Sequence, residues 1–175
     1  KDLIDYLAAK RELAGSLVRA VEAGALPLRV THNDTKCNNV LFDGTTGEPL
    51  AVIDLDTIMP GLMAYDFGDA VRFAASTAAE DEPDTSKVAL DINKFKAFTE
   101  GFVGTLGDTM TDAELDSLSV GAFAITIELA SRFLDDYLTG DRYFAVKRPG
   151  HNYDRAACQI ALARDMERKL DEMKA

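Results

Sequence analysis

Apolar residues recur at spacings of three, four and seven over residues 2–23, with Leu3, Leu7, Ala14, Leu17, Val18 and Val21 on one side. That period predicts an amphipathic helix. Gly24 supplies its stop, and Pro27 prevents continuation. The period then shortens. Leu28 and Val30 precede a polar stretch from Thr31 to Asn39, and Val40-Leu41-Phe42 follows it. Such flanks predict short buried strands presenting a loop. Asp43-Gly44 and Gly47 signal a hairpin turn. The returning strand, Leu50–Ile53, is apolar throughout and is expected to be buried on both sides or to lie beneath a site. Pro60-Gly61 is expected to break the chain.

Beyond it the pattern is helical. A helix is expected over 66–79 with Asp66 as a candidate N-cap. The acidic residues 80–90, with Pro83, read as an exposed loop. Asp91 opens a helix with Ile92, Phe95, Phe98, Phe102 and Leu106 on one face, ended by Gly107. Thr111 and Glu114 have the form of a capping box, and a long helical region follows to about 139, with Gly121 as a candidate break. Its second part, Ala122–Leu138, is apolar enough to run through the middle of the domain. A loop over 141–152 leads to a last helix from Asp154 to Met173. The elements together predict a mainly α fold with small β hairpins, an α+β domain whose loops gather near the strands. There is no internal repeat.

Composition narrows the partners. Apolar residues make up 47% of the 175, which fits one globular domain with a proper core. No apolar run reaches the roughly 18–20 residues of a membrane span. The opening residues, Lys1-Asp2-Leu3-Ile4-Asp5, lack a signal-peptide pattern and an initiator Met, so a processed or partial chain is expected. A net charge of −11 argues against nucleic acid and against a membrane as partner, since anionic surfaces need basic ones. Cys37 and Cys158 lie far apart and form neither a metal-ligand pair nor a disulfide framework, so a reducing cytoplasm is the expected location.

The polar stretch carries the candidate chemistry. Phosphoryl transfer from ATP needs a carboxylate to orient the acceptor hydroxyl, an Asp and an Asn to hold Mg²⁺, and a cation near the γ-phosphate. Kinase catalytic loops place a His two residues before the catalytic Asp and an Asn five after it. Here His32 stands two before Asp34, Lys36 two after it and Asn39 five after it. A metal-binding Asp is then expected at the end of the hairpin strand, where Asp54 falls, 20 residues past Asp34. Asp66-Phe67-Gly68 spells a second metal-binding motif of kinases, but it opens a helix. Asp66 and Asp69 are therefore expected to cap that helix or to bond the catalytic loop.

Three strings together carry a resemblance. They are His32-Asn33-Asp34-Thr35-Lys36, Ile53-Asp54-Leu55-Asp56-Thr57-Ile58-Met59-Pro60-Gly61 and Arg148-Pro149-Gly150-His151-Asn152, with Tyr65 to Asp69 between them. The sequence resembles the aminoglycoside phosphotransferase and choline kinase superfamily, and within it the N-acetylhexosamine 1-kinases. The resemblance implies the C-terminal lobe of a protein-kinase-like fold, with ATP as co-substrate, Mg²⁺ as cofactor and a sugar as acceptor. It implies Asp34 as the base, Lys36 as a phosphate contact or a loop salt bridge, and Asn39 and Asp54 as Mg²⁺ ligands. His32 is expected as a prop of the loop, and Asp56 either assists the metal or bonds backbone. Arg132 is implied as a sugar contact, the alternative being an ion pair with Glu128. Tyr143 either stacks on the sugar or only packs. Arg148, His151 and Arg155 are expected to be charges leading into the last helix.

A glycine-rich loop over the phosphates and a strand Lys paired to a helix Glu are missing from these residues. An N-terminal ATP-binding lobe is therefore expected to be absent, the isolated chain to turn over little, and the surface so exposed to be available for homodimer formation. Two alternatives stay open: a kinase for an aminoglycoside, choline or homoserine, and a ligand-binding domain that kept the fold without the chemistry.

Overall fold

The computed structural model describes residues 1–174. Among the described residues, seven α-helices and four short strands follow one another. Helix α1 (Asp2–Ala14) and helix α2 (Ser16–Glu22) divide at Gly15 what the apolar period suggested as one helix. Gly24 ends the pair with a φ of 74°, which a side-chain-bearing residue rarely adopts. Strands β1 (Arg29–Thr31), β2 (Val40–Phe42), β3 (Pro49–Val52) and β4 (Met59–Gly61) come next. Helices α3 (Met63–Ala74), α4 (Ile92–Leu106), α5 (Asp112–Leu138), α6 (His151–Arg168) and α7 (Leu170–Lys174) complete the chain.

The strands form two antiparallel pairs. The hairpin pairs Val40 with Val52 and Leu41 with Ala51. The second pair was not expected: Pro60-Gly61, which looked like a break, lies in β4 and pairs with β1, Pro60 opposite Val30. A two-stranded ribbon tolerates Pro because only one edge needs its N–H. Gly61 is required there, since an added Cβ would strike the Thr31 hydroxyl. The expected burial of the hairpin is overturned. Leu41, Phe42, Leu50, Val52 and Ile53 are all exposed, so an apolar strand marks here an uncovered surface and not a core.

The core lies among α3, α4, α5 and α6. Phe67 of α3 is fully buried, and its ring meets Phe95 at 5.9 Å, Phe98 at 5.7 Å and Phe102 at 5.2 Å, all from one face of α4. Asp91 caps α4 by accepting from the N–H groups of Asn93 and Lys94. Helix α5 runs unbroken through Gly121 over 27 residues. Its most apolar 18-residue stretch is long and apolar enough to cross a membrane by composition, but 67% of that stretch is buried within the fold. Gly121 is kept for contact: an added Cβ would collide with the carbonyl oxygen and methyl group of Ala64 on α3. Gly68 faces it, and a Cβ there would come within 2.7 Å of the Gly121 and Ala122 backbone. The α3–α5 crossing thus uses small residues for close approach.

The capping box at the start of α5 does double duty. Glu114 N–H donates to Thr111 Oγ1 at 3.2 Å, and Glu114 Oε2 accepts from Thr111 N–H at 2.8 Å. The same carboxylate accepts Arg29 Nε at 2.8 Å and Nη2 at 2.7 Å, tying β1 to α5. The Arg29 bond is the main reason the buried Glu114 carboxyl is held at about 2, down from 4.5.

Two outcomes test this packing. Gly121→Ala should lower the unfolding free energy by about 2–3 kcal/mol through overpacking. Gly101→Ala, on exposed α4 where nothing lies within 4 Å, should instead raise it by roughly 0.5–1 kcal/mol, both read by urea denaturation. Glu114's depressed value contributes stability that is present above pH 4.5 and lost as pH falls toward 2. Glu114→Gln should therefore be about 2–3 kcal/mol less stable at neutral pH, with the gap to wild type closing below that range.

Candidate active site

The loop between β1 and β2 is built on bonds to its own backbone. Asp66, in the first turn of α3, accepts His32 N–H and Asn33 N–H, one at each carboxylate oxygen and both at 2.8 Å. Leu62, and not Asp66, is the N-cap of α3. Burial pushes the Asp66 carboxyl up, the two N–H groups pull it down, and burial prevails. Asn33 takes φ 63°, a conformation Asn tolerates, and its amide spans Thr31 O and Thr57 O. Thr35 Oγ1 donates to Asp66 O at 2.6 Å, and Thr57 Oγ1 to His32 O at 2.6 Å. The loop is therefore held from α3 on one side and from the β3–β4 connection on the other.

Asp34 sits inside this frame, partly buried. Its Oδ2 accepts Lys36 Nζ at 2.7 Å and Asn39 Nδ2 at 2.9 Å. Burial pushes the Asp34 carboxyl up, but the Lys36 and Asn39 bonds and the Lys36 charge outweigh it and hold it below the usual range. The bond to Asp34 raises Lys36 above its ordinary value, with the charges of Asp34, Asp54 and Asp69 adding to it. At neutral pH the pair is thus an ionised carboxylate and an ammonium.

Asn39 is buried and gives its amide N–H to Asp34, which leaves Oδ1 without a partner among the described residues. Ile53 connects it to the hairpin: Ile53 N–H donates to Asn39 O at 2.9 Å, and Ile53 O meets His32 Nε2 at 3.0 Å. Nε2 must carry the ring proton in that contact, since a carbonyl only accepts. The next residue, Asp54, is exposed and takes φ 64°, ψ 52°, a left-handed conformation that costs about 1 kcal/mol or more. Asp56 stands exposed on the following 3₁₀ turn, Leu55–Thr57, outside this network. No cluster of three or more His, Cys, Asp or Glu side chains suited to a metal occurs among the described residues. The oxygens of Asn39 and Asp54 nevertheless fit Mg²⁺, which takes one or two protein oxygens and fills its shell with water and phosphate.

A cavity of about 430 Å³ opens on Asp34 and Lys36 and is closed across by Arg132, Tyr143, Phe144 and Arg155. Residues a hundred positions apart in sequence thus line one space. Arg132 is not on the buried face of α5 but exposed at the rim, 3.7 Å from Glu128 and 3.4 Å from the Tyr143 hydroxyl. It lies over the Tyr143 and Phe144 rings at 5.6 and 5.4 Å. Tyr143 is positioned by a residue without a role in the sequence reading. Buried Asp136 accepts N–H bonds from Arg142 and Tyr143 at 2.8 Å, and from Phe144 and the Asn152 amide at 2.9 Å. His151, buried, opens α6 and meets Asp81 at 3.0 Å. Asp69, expected to cap α3 or to bond the loop, instead pairs with Arg72, and it lines the cavity together with Arg72 and Glu80. A signal existed for two of them: Asp69 and Arg72 are opposite charges three apart in a helix whose one other charge is Asp66.

This arrangement can orient a hydroxyl at a carboxylate, with an ammonium and two hard oxygens beside it. The sequence matches the profile of the phosphotransferase enzyme family over residues 1–96, and the chain belongs to that family. The matched part spans Asp34, Lys36, Asn39, Asp54 and Asp66, and ends before Arg132 and Tyr143. That membership makes the chain a phosphotransferase of a kinase-like enzyme family.

Removing the Asp66 carboxylate should loosen the loop before it unfolds the domain. Asp66→Ala should speed hydrogen exchange at the His32 and Asn33 amides by at least about tenfold, two bonds to a charged acceptor being lost. Unchanged exchange would mean that the loop is held by other contacts.

Proposed function

We propose that this chain is the acceptor- and metal-binding lobe of an ATP- and Mg²⁺-dependent small-molecule kinase that phosphorylates the anomeric hydroxyl of an N-acetylhexosamine. The observation that carries the acceptor class is the cavity lining. Four acids (Asp34, Asp69, Glu80, Glu128) face four bases (Lys36, Arg72, Arg132, Arg155), which suits a neutral polyol over a polycation. The aromatic faces that would cage a quaternary ammonium are already covered: Arg132 lies over Tyr143 and Phe144, and Arg155 over Phe133 at 5.3 Å.

Asp34 receives the proton of the attacking hydroxyl as its oxygen bonds the γ-phosphorus and the bond to ADP breaks. The low value of Asp34 keeps it ionised before the substrate arrives, and Lys36 and Asn39 together hold its Oδ2. Lys36 is within reach of the transferred phosphoryl group once it leaves Asp34. Asn39 and Asp54 would hold Mg²⁺, which neutralises phosphate charge when bound. Arg132 and Tyr143 hold sugar hydroxyls at the far wall. The exposed apolar strip of Leu41, Phe42, Leu50 and Val52 is the surface that an ATP-binding lobe would cover, and without one the chain is expected to turn over little. Homodimer formation through the same strip is the competing occupant. Cys37 and Cys158 are both free thiols, which suits a cytoplasmic location.

The test is ATP consumption by the full-length protein with N-acetylglucosamine, N-acetylgalactosamine, choline, homoserine and an aminoglycoside. Turnover is expected with an N-acetylhexosamine, and Asp34→Asn should lower kcat by at least about a hundredfold without changing the melting temperature. Retained activity in that variant would sink the assignment of the base. Tight sugar binding with no consumption would instead favour a non-catalytic domain.

A further inference from the structure

Among the described residues, one cation of the cavity lacks the counter-charge that the others have. Lys36 is paired with Asp34, Arg72 with Asp69 and Glu80, and Arg132 with Glu128. Arg155, on α6, meets only neutral oxygens. Its Nη1 donates to the Ala145 carbonyl at 3.2 Å and to the Asn152 side-chain oxygen at 3.1 Å. A half-buried charge without a counter-charge is costly to keep. A folded protein that keeps one needs a reason.

The guanidinium is held in place and open at one nitrogen. Its carbon lies over the Phe133 ring at 5.3 Å from the centroid, and both Arg155 and Phe133 line the cavity with Asp34. Nη1 is turned to Ala145 and Asn152. Nε is sealed from water. Nη2 has no partner among the described residues and, unlike Nε, is not sealed. It is therefore the nitrogen left to a ligand, and it can meet one without any turn of the side chain.

What meets it follows from matching donors to acceptors. A hydroxyl both donates and accepts, so the carboxylates of the lining can serve it, whereas a carbonyl oxygen only accepts. Lys36 and Arg72 are drawn to carboxylates, and Arg132 is divided between Glu128 and the Tyr143 hydroxyl. Arg155 Nη2 is the charged donor left uncommitted. The acyl oxygen of an N-acylated sugar is an acceptor of this kind, while an unacylated amino sugar would bring an ammonium against a like charge.

We propose that Arg155 is a specificity-determining contact, its Nη2 donating a hydrogen bond to the acyl carbonyl oxygen of the acceptor. The proposal rests on reading this cavity as the acceptor site. Asp34 takes the reacting hydroxyl, and Arg155 takes an oxygen that does not react, so its effect falls on the acceptor KM.

Full-length wild type and Arg155→Gln would be compared on N-acetylglucosamine and on its N-thioacetyl analogue, in which sulfur, a weak acceptor, replaces the carbonyl oxygen. The wild-type KM should be about tenfold to a hundredfold higher for the thioacetyl sugar. In R155Q the KM for N-acetylglucosamine should rise by a similar factor and that for the thioacetyl sugar should barely move, so that the two converge. The ATP KM should stay within about twofold. Equal losses on the two sugars, or a wild type indifferent between them, would reduce Arg155 to a support of the Ala145 loop and overturn the contact alone. A wild type inactive with every N-acetylhexosamine fails the sugar reading, and the contact falls with it. If R155Q does not fold, wild-type crystals soaked with N-acetylglucosamine decide. An acyl oxygen about 3 Å from Nη2 supports the contact, whereas an acyl oxygen elsewhere, or no bound sugar, overturns it.

Discussion

Helix α3 lies against α5 at a separation that only glycine permits, and the site inherits its geometry from that crossing. Gly68 and Gly121 face one another, with Ala64 and Ala122 beside them. With the distance fixed, the side chains of α3 fan out in set directions. Phe67 enters the aromatic core, Asp66 reaches the backbone of the β1–β2 loop, and Asp69 reaches the cavity. Three consecutive functions of the fold thus hang on one helix turn. A larger residue at the crossing would displace all three together, because packed cores do not deform continuously.

Two carboxylates, Asp66 half-buried and Asp136 buried, then do the same job in different places. Asp66 gathers the N–H groups of the β1–β2 loop, and Asp136 gathers those of the loop carrying Tyr143 and Phe144. Loop backbone without a partner would otherwise leave its donors to water. In both cases an anion within a helix fixes a non-helical segment, so irregular chain acquires the rigidity of the helix beneath it. For Asp136 the three N–H bonds outweigh burial and hold the carboxyl below its ordinary value, which keeps it charged for the purpose.

Much of this was legible from short-range pattern. His32, Asp34, Lys36 and Asn39 are close in sequence, so their spacing reports directly on their geometry, and the α4 aromatic face and the Thr111–Glu114 box are likewise local. What escaped was set by distant partners. The pairing of β1 with β4 depends on Gly61 meeting Thr31, and the division of α1 from α2 at Gly15 has no counterpart in the apolar period. Gly121 read as a break because glycine weakens helices, whereas its contact with Ala64 decides the matter. The hairpin misled in the opposite sense. Its apolar residues suggest burial, but hydropathy reports what a surface favours and not whether the surface is covered. The Arg72–Glu80 ion pair links α3 to the following loop, and no local period announces it.

Ile53 forms one bond to Asn39 and one to His32, which ties the hairpin end to the β1–β2 loop. The far wall of the cavity, from Glu128 to Phe144, belongs to α5 and the loop after it, tied down by Asp136 alone of the two anchoring carboxylates. Mutational drift can therefore reshape that wall while the chemistry-bearing body stays in register. A scaffold divided in this way can change the compound it accepts without reinventing how it transfers a phosphoryl group.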